Sequence, residues 1–269
     1  MSKIVVFCGK KQSGKSSTAK FVCGNEMIRL GLIDNLTVQE DGDVGSTLAD
    51  GQQVVFDFDA KSPEAIDFYS RSVWPTVRKF SFADNLKLAT HKIFGIPLEL
   101  LYGNDEDKNS ATHIKASDLY GLLAINVINV LKKTMKDDDY LSVRQILQLF
   151  GTNLCRKMDD KCWVRGLITD IESYGSELSL VDDCRFKNEV YAMKDVGATI
   201  IRFKKSIGDD SHVSEKDLDD IDDSVFDLVV DNSNMSLLDK NEYVMNWLQE
   251  RDIIAKSYKD SGITKAKLI

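Results

Sequence analysis

The segment Gly9–Ser16 constrains the fold of this chain more than any other stretch of its sequence. It reads GKKQSGKS and fits the pattern G-x-x-x-x-G-K-[ST], in which glycines let the backbone curve closely around an anion. The apolar run Lys3–Cys8 precedes it and is typical of a buried strand, and Ser17–Val22 follows without a helix breaker. Strand, loop and helix come in the order that the pattern requires, so we predict a phosphate-binding loop rather than a chance match.

The residue types in this loop indicate how it would bind a nucleoside triphosphate. Successive backbone N–H groups and the N-terminus of the following helix would point at the phosphates. Lys15 would reach the β- and γ-phosphates, and the Ser16 hydroxyl would bind Mg²⁺, so ATP and Mg²⁺ are the expected cofactors. The predicted ATP-binding residues are Gly9, Lys10, Lys11, Gln12, Ser13, Gly14, Lys15, Ser16 and Ser17.

Composition limits the classes of protein that this chain can represent. Its 269 residues, 43% of them hydrophobic, suit one large α/β domain with an insertion or two small domains. The net charge of −8 argues against direct nucleic-acid binding, which needs a basic face, but allows a small positive pocket. We therefore expect small-molecule substrates as partners.

Cysteine usage and hydropathy indicate the compartment. The five cysteines are scattered with no C-x-x-C pair, which favours reduced thiols in a cytoplasmic protein (the host cytoplasm, if a phage encodes it). A strand and loop at the N-terminus leave no place for a signal peptide. The most apolar segment, Leu119–Leu131, is too short to span a bilayer and is expected to lie in a buried helix over 117–135.

The middle of the chain predicts an insertion followed by helices. Residues 37–75 are rich in turn signals and β-branched residues, so we expect a β-rich insertion whose exposed strand could form a homodimer contact. Asp57 and Asp59 suggest either a metal site or, as we prefer, the solvated face of a strand. A strand over 77–82, a helix over 83–94 and a charged, turn-rich loop over 102–110 follow.

The segment Val143–Arg156 predicts a helix with one apolar face and a polar row beside it. Gly151 interrupts this pattern at a cost of about 1 kcal/mol relative to alanine. Either another group approaches the backbone closely there, or the helix ends and restarts. The polar row consists of Arg144, Gln148, Thr152 and Arg156.

The last third predicts alternating strands and helices, and therefore parallel βαβ units. Ligands of such sheets gather at the carboxyl ends of the strands, which here are followed by Asp183, Arg185 and the pair Asp231-Asn232. Asp183 stands where a carboxylate would help to hold Mg²⁺, and Arg185 could clamp a phosphoryl group. The alternative is an Asp–Arg pair that caps the next helix. The predicted strands are 178–183, 198–203 and 226–230, with helices over 163–173, 188–196 and 237–251.

An ordered set of motifs resembles the deoxynucleoside monophosphate kinases of tailed bacteriophages. The resemblance covers the chain from Lys3 to about Leu238, outside the insertion and the polar tail, 255–269. None of the motifs that follow the loop is specific by itself, but the order in which they occur is specific. The motifs are Phe82–Lys87 (FADNLK), Arg144–Thr152 (RQILQLFGT), Trp163-Val164, Asp183–Glu189 (DCRFKNE) and His212–Glu215 (HVSE).

The resemblance implies an α/β P-loop fold of the nucleoside monophosphate kinase type, with a parallel sheet flanked by helices. The kinase domain would span 1–254, with an acceptor-binding helical region about 83–175. It also implies transfer of the γ-phosphoryl of ATP to a deoxynucleoside 5′-monophosphate, supplying precursors for DNA replication. The implied catalytic residues are Lys15, Arg185, Asp183 and Arg144, and the metal ligands Ser16 and Asp183. The implied acceptor-binding residues are Lys87, Lys108, Arg144, Gly151, Thr152, Arg156, Trp163, Asp183, Arg185 and Glu189.

Two other functions remain open from the sequence. A related P-loop kinase could act on another small acceptor, such as a nucleoside or dephospho-coenzyme A. A nucleotide-hydrolysing switch or motor would instead show hydrolysis without an acceptor, but it would leave Trp163 and the polar row beside it unexplained. The base of the acceptor cannot be chosen from the sequence, because a ring stacked on Trp163 would discriminate weakly.

Overall fold

The computed structural model describes residues 2–59, 62–121, 123–205, 217–255 and 267–268. The chain forms two compact units: unit 1 comprises Met1–Ser81 and Ile168–Ile269, and unit 2 comprises Phe82–Leu167.

The strands are β1 (Lys3–Cys8), β2 (Thr37–Val38), β3 (Val44–Thr47), β4 (Gln53–Val55), β5 (Val77–Phe80), β6 (Ala111–Lys115), β7 (Tyr140–Ser142), β8 (Leu178–Cys184), β9 (Thr199–Phe203), β10 (Leu228–Val230) and β11 (Lys267–Leu268). The α-helices are α1 (Lys15–Arg29), α2 (Pro63–Ser72), α3 (Phe82–Phe94), α4 (Leu98–Tyr102), α5 (Asp105–Asn109), α6 (Ile125–Thr134), α7 (Val143–Gln148), α8 (Arg156–Met158), α9 (Cys162–Tyr174), α10 (Lys187–Asp195) and α11 (Leu237–Glu250).

Unit 1 is built on a five-stranded parallel sheet in the order β10-β9-β1-β8-β5. The apolar runs of the sequence become its inner strands because helices cover the sheet, and Val5, Phe7 and Leu180 are fully buried in the core. The predicted α/β fold with a parallel sheet flanked by helices is therefore confirmed. The carboxyl ends of β1 and β8 lie side by side, with Cys8 in register with Cys184.

The insertion after α1 differs from its prediction in its second half. Strands β2, β3 and β4 form an antiparallel sheet, to which β11 adds in parallel. Residues 63–72 form the helix α2, which the β-rich prediction missed. The start signal was present, because Ser62 accepts a hydrogen bond from the Ala65 N–H at 3.2 Å and Pro63 occupies the first turn. The predicted frayed tail is wrong at β11, and residues 256–266 and 269 lie outside the described part of the chain.

Unit 2 is mainly helical and has its own core, which includes Ile96, Leu101 and Ile146. The predicted buried helix over 117–135 is wrong. A 3₁₀ turn occupies Ala116–Leu119, and α6 begins only at Ile125, which is 71% exposed. The apolar residues of this segment point to all sides of the helix, so only one stripe of them can face the core.

The charged segment 102–110 contains a short helix where a loop was predicted. Asn104 and Asp107 form a capping box, in which each side chain accepts the other residue's backbone N–H, at 3.0 and 2.9 Å. These bonds explain why such a polar stretch forms the helix α5.

The helix predicted over 143–156 changes its geometry in the middle. Helix α7 continues as a π-helical segment over Leu149–Cys155 and then as α8. A Cβ on Gly151 would lie 2.7 Å from Leu86 Cδ2, so the predicted close approach to the backbone at Gly151 is present. π-Helical turns are rare, and many of them occur at functional sites.

Candidate functional site

The loop Gly9–Ser16 joins β1 to α1 and requires its two motif glycines. Gly9 and Gly14 have φ angles of +148° and +91°, which side chains rarely adopt. A Cβ on Gly9 would also lie 2.7 Å from Ser13 Oγ and 2.8 Å from the Phe203 carbonyl oxygen. The loop is therefore tightly curved, as a cradle for phosphates must be.

Lys15 lies inside this curve and is only 5% exposed. Its ammonium donates hydrogen bonds to the carbonyl oxygens of Gly9, at 2.7 Å, and Lys10, at 2.6 Å. A positive charge is thus held at the centre of the loop by the backbone itself.

A cleft of about 380 Å³ in unit 1 brings most of the predicted donor residues together. Residues 12–17 of the loop and helix α1 line it, together with Asp183 and Arg185. Gly9 and Lys10 line an adjacent cleft of about 350 Å³, and Lys11 is exposed on the loop. Glu40 and Asp41, from the turn between β2 and β3, also line the first cleft.

The carboxyl end of β8 places two acidic residues at the cleft. The Ser81 hydroxyl donates a hydrogen bond of 2.6 Å to Asp183 Oδ2 and so orients this carboxylate. Asp182, which is buried, forms an ion pair with Lys79 at 3.1 Å. Lys79 also pairs with Asp59 at 2.7 Å, so Asp59 is not the freely solvated strand residue that we preferred.

Lys79 does not line the cleft but pairs with Asp182, which does, and the sequence pattern did not indicate it. Burial alone would lower the pKa of its ammonium, but the charges of Asp182 and Asp59 outweigh burial and hold that pKa above its usual range. Lys79 reaches the site from β5, and the only sequence signal is a lysine within a short strand.

The turn that carries Arg185 is ordered by Glu189. The Glu189 carboxylate, 1% exposed, accepts the backbone N–H groups of Arg185 at 2.9 Å and Phe186 at 3.1 Å. Negative charge at the start of α10 also suits the helix dipole. The substrate-binding role of Glu189 stays a prediction, and its observed contacts position the backbone beside the cleft.

In unit 2, the predicted acceptor residues have partners within that unit. Arg144 Nη2 donates to Asp105 Oδ1 at 2.7 Å, and its Nε donates to Asn109 Oδ1 at 3.0 Å. The Lys87 ammonium lies 4.2 Å from the centre of the Tyr102 ring, within cation–π range. Three further predicted residues of this unit, Lys108, Thr152 and Arg156, are half-buried.

Trp163 is buried, at 9% exposure, and supports the π-helical segment. Its indole N–H donates to the Gly151 carbonyl oxygen at 3.2 Å, and its ring packs edge-on against Phe150. The Gly151 carbonyl oxygen also accepts the backbone N–H of Arg156, five residues on, so it has both a π-helical partner and the indole as donors.

Three polar side chains from the last part of unit 1 form hydrogen bonds to the loop and to the first turn of α1. The Asn232 amide donates to the Ser13 carbonyl oxygen at 3.0 Å, and Asn241 accepts from the Thr18 hydroxyl at 2.9 Å. Lys240, on α11, donates to the Gly14 carbonyl oxygen and to Ser17 Oγ, both at 2.8 Å. The sequence indicated Asn232 by its place after a strand but gave no signal for Lys240.

Other expectations have simpler outcomes. His212 and Glu215 lie outside the described residues. All five cysteines are free thiols. Within the described ranges, no helix is both long and apolar enough to cross a membrane.

Comparison with known proteins adds one finding. A family model described as deoxynucleotide monophosphate kinase matches residues 83–241, more than half of the chain. The matched range includes nearly all of unit 2 and residues 168–241 of unit 1, but not the loop Gly9–Ser16. No curated protein matches the chain significantly. The loop motif is therefore evidence independent of the family match.

Proposed function

Since the chain belongs to the deoxynucleotide monophosphate kinase family, we propose that it transfers the γ-phosphoryl group of ATP to a deoxynucleoside 5′-monophosphate. The products would be ADP and a deoxynucleoside diphosphate, a precursor for DNA replication. The observation that carries this proposal is the cleft of unit 1, where the loop, Asp183 and Arg185 line one cavity. The family match supplies the acceptor class.

Phosphoryl transfer of this kind needs positioning and charge more than covalent chemistry. An oxygen of the acceptor phosphate would form a bond to the γ-phosphorus while the bond to the β–γ bridging oxygen breaks and ADP leaves. Lys15 would stabilise charge on the β- and γ-phosphates, and Arg185 would stabilise the transferred group. Both side chains line the cleft in which the donor phosphates would bind.

The residues at the cleft fit a magnesium ion. Ser16 is exposed to the cleft and Asp183 lines it, which offers the hydroxyl and carboxylate oxygens that Mg²⁺ prefers. The hydrogen bond from Ser81 would hold the Asp183 carboxylate in place. When bound, the ion would neutralise phosphate charge; Ser16 and Asp183 would hold it.

For the acceptor we propose unit 2, with Lys87, Lys108 and Arg144 as the cations that meet its phosphate. Arg144 is paired to Asp105 in an exposed ion pair, and such pairs contribute about 1 kcal/mol or less. A dianionic phosphate can therefore replace Asp105 at little cost. Gly151, Thr152 and Arg156 would form the adjoining wall. The burial of Trp163 favours packing behind that wall as its role.

The test is ADP formation measured with ATP and Mg²⁺ over a panel of deoxy- and ribonucleoside monophosphates. We expect turnover with at least one deoxynucleoside monophosphate. A folded sample with no turnover on any common deoxynucleotide would sink the assignment. Turnover only with a nucleoside or dephospho-coenzyme A would identify a different kinase, and ADP formation without any acceptor would identify a switch. The homodimer, the cytoplasmic location and the domain boundaries stay predictions.

A further inference from the structure

Lys240 is a buried cation at the back of the cleft that the proposed chemistry does not use. Its side chain comes from α11, is 2% exposed, and lines the same cleft as Lys15. The ammonium donates to the Gly14 carbonyl oxygen and to Ser17 Oγ, both at 2.8 Å. It thus joins the end of the motif loop to the first turn of α1.

The second motif glycine, Gly14, leaves the space that the Lys240 ammonium occupies. A Cβ built on Gly14 would overlap the Lys240 ammonium, and Gly14 also has a positive φ angle of +91°. A side chain at position 14 would require the Lys240 ammonium to shift. The loop and Lys240 therefore form one packed arrangement.

The charge of Lys240 has no counter-charge in the described part of the chain. No described carboxylate forms an ion pair with it, and its charged neighbours are Lys15, on α1, and Lys205, after β9. Burial, and then repulsion from Lys205 and Lys15, lower the pKa of the ammonium from 10.5 to about 7. The centre of the Phe203 ring lies 5.4 Å from the ammonium and offers a cation–π contact, but no negative charge. A buried cation without an anionic partner is costly, and an anion in the cleft would reduce that cost.

We propose that Lys240 is a positioning residue for the donor triphosphate. It fixes the turn from Gly14 to Ser17, and its positive charge becomes compensated when the donor's phosphates enter the cleft. The proposal rests on the proposed function, because it takes a nucleoside triphosphate as the occupant. Lys240 acts through the loop, so we expect it to govern donor binding and not acceptor binding.

The experiment is calorimetric titration of the full chain with the β,γ-imido analogue of ATP and Mg²⁺. It is run at pH 8 in two buffers with different heats of ionisation, which measures protons taken up on binding. The wild type should take up a large fraction of one proton, because phosphates that enter the cleft raise the pKa of Lys240. Lys240→Met should bind the analogue roughly ten to a hundred times more weakly, the worth of a charge-assisted hydrogen bond, and take up no proton there.

Three further variants separate the effect of the Lys240 charge from the effect of its structural support of the loop. Lys240→Arg keeps a permanent charge, so it should bind the analogue without proton uptake, and it tests the proposal if Lys240→Met does not fold. Asn241→Ala removes the hydrogen bond between α11 and Thr18 of α1 and should keep the proton uptake. Lys194→Met removes a lysine from α10 in the same unit and should bind the analogue with wild-type affinity.

Two results would overturn the proposal: binding by the wild type without proton uptake, or wild-type affinity in Lys240→Met. A failure of the proposed function looks different. The wild type would then bind the analogue and take up its proton, yet transfer no phosphoryl group to any deoxynucleoside monophosphate. In kinetic assays, Lys240→Met should raise the KM for ATP and leave the KM for the acceptor within about twofold, since its hydrogen bonds go to the end of the loop and the first turn of α1.

Discussion

The cleft of unit 1 and the predicted acceptor residues of unit 2 are held by different kinds of contact. Lys15 is 5% exposed and is bonded to two backbone carbonyl oxygens. Arg144 is 36% exposed in its side chain, and its partner Asp105 is 68% exposed. Lys15 is therefore fixed by the backbone, whereas Arg144 is held by an exposed side chain that a ligand could replace.

This difference follows from the cost of breaking each contact. A buried charge that loses its partners pays the full cost of desolvation, and an exposed ion pair is worth about 1 kcal/mol or less. The proposed donor site is thus preorganised for a polyphosphate. In the proposed acceptor site, Arg144 would exchange Asp105 for a phosphate with little loss. Substitutions in the two units should differ accordingly in size and in kind.

The largest expected effect is that of Lys15→Ala, which removes the cation at the centre of the loop. The rate of ADP formation should fall about a thousandfold, because Lys15 is the buried cation of the loop, whereas Lys10 pairs with Asp219 and Lys11 is exposed. Lys20→Ala is the matched control, since Lys20 lies on the same helix and pairs with Asp43. A Lys15→Ala protein that keeps more than a tenth of the wild-type rate would remove Lys15 from the mechanism.

Lys79→Met should give the largest loss of stability. It leaves the buried Asp182 carboxylate without its cation, so the free energy of unfolding in urea should fall by about 3 kcal/mol. Arg71→Met breaks an exposed ion pair with Asp67 and should change that free energy by less than about 1 kcal/mol. Equal losses in the two variants would show that the ion pair of Asp182 is not a buried one.

The pH dependence of stability should report Lys240. Its pKa is lower in the folded protein than in the unfolded chain, so the unfolded chain binds more protons between the two values. Stability attributable to Lys240 should therefore rise with pH, by about 2 kcal/mol between pH 7 and pH 9. The measurement is urea unfolding of wild type and Lys240→Met at both pH values. Parallel pH dependences would refute a lowered pKa.

Arg144→Met should weaken acceptor binding by about tenfold, as expected for the loss of one charged hydrogen-bond donor. The KM for the deoxynucleoside monophosphate should rise, and the KM for ATP should stay unchanged. Asp105→Asn is the informative partner variant, because it removes the negative charge paired with Arg144 while the bond to Asn109 remains, and it should lower the KM for the acceptor or leave it unchanged. An equal rise in the KM for ATP would contradict the proposal that unit 1 binds the donor and unit 2 the acceptor.

Gly151→Ala should have the smallest effect, a loss of about 1 kcal/mol in the free energy of unfolding. The new methyl group would lie 2.7 Å from Leu86 Cδ2, the end of a flexible side chain that can move aside. In a Leu86→Ala background the same substitution should cost less, which a double-mutant cycle measures. Identical costs in both backgrounds would mean that Leu86 is not what excludes a side chain at position 151.

The difference between local and long-range contacts explains what the sequence could predict. The loop Gly9–Ser16 and its flanking strand and helix are local, so residue order alone predicts them. The Lys79–Asp182 hydrogen bond joins residues 103 positions apart, and the bond from Lys240 to Gly14 spans 226 positions. Neither pair has a local signal, because each depends on which strands and helices become neighbours.

The helical segments of unit 2 show a second limit. An apolar composition predicted a buried helix around Ile125, but burial depends on which side of the helix meets a core. The glycine at position 151 predicted a local irregularity, and the contact with Leu86 and the π-helical geometry are its causes. The acceptor residues came from resemblance to a family, and their roles stay predictions.

The most direct test of the proposed reaction is the fate of a labelled γ-phosphate. ATP labelled at the γ-phosphorus is incubated with the full chain, Mg²⁺ and a panel of deoxynucleoside monophosphates, and the products are separated by chromatography. We predict that the label appears in a deoxynucleoside diphosphate in step with the ADP formed. Label found only in inorganic phosphate would contradict transfer between two nucleotides.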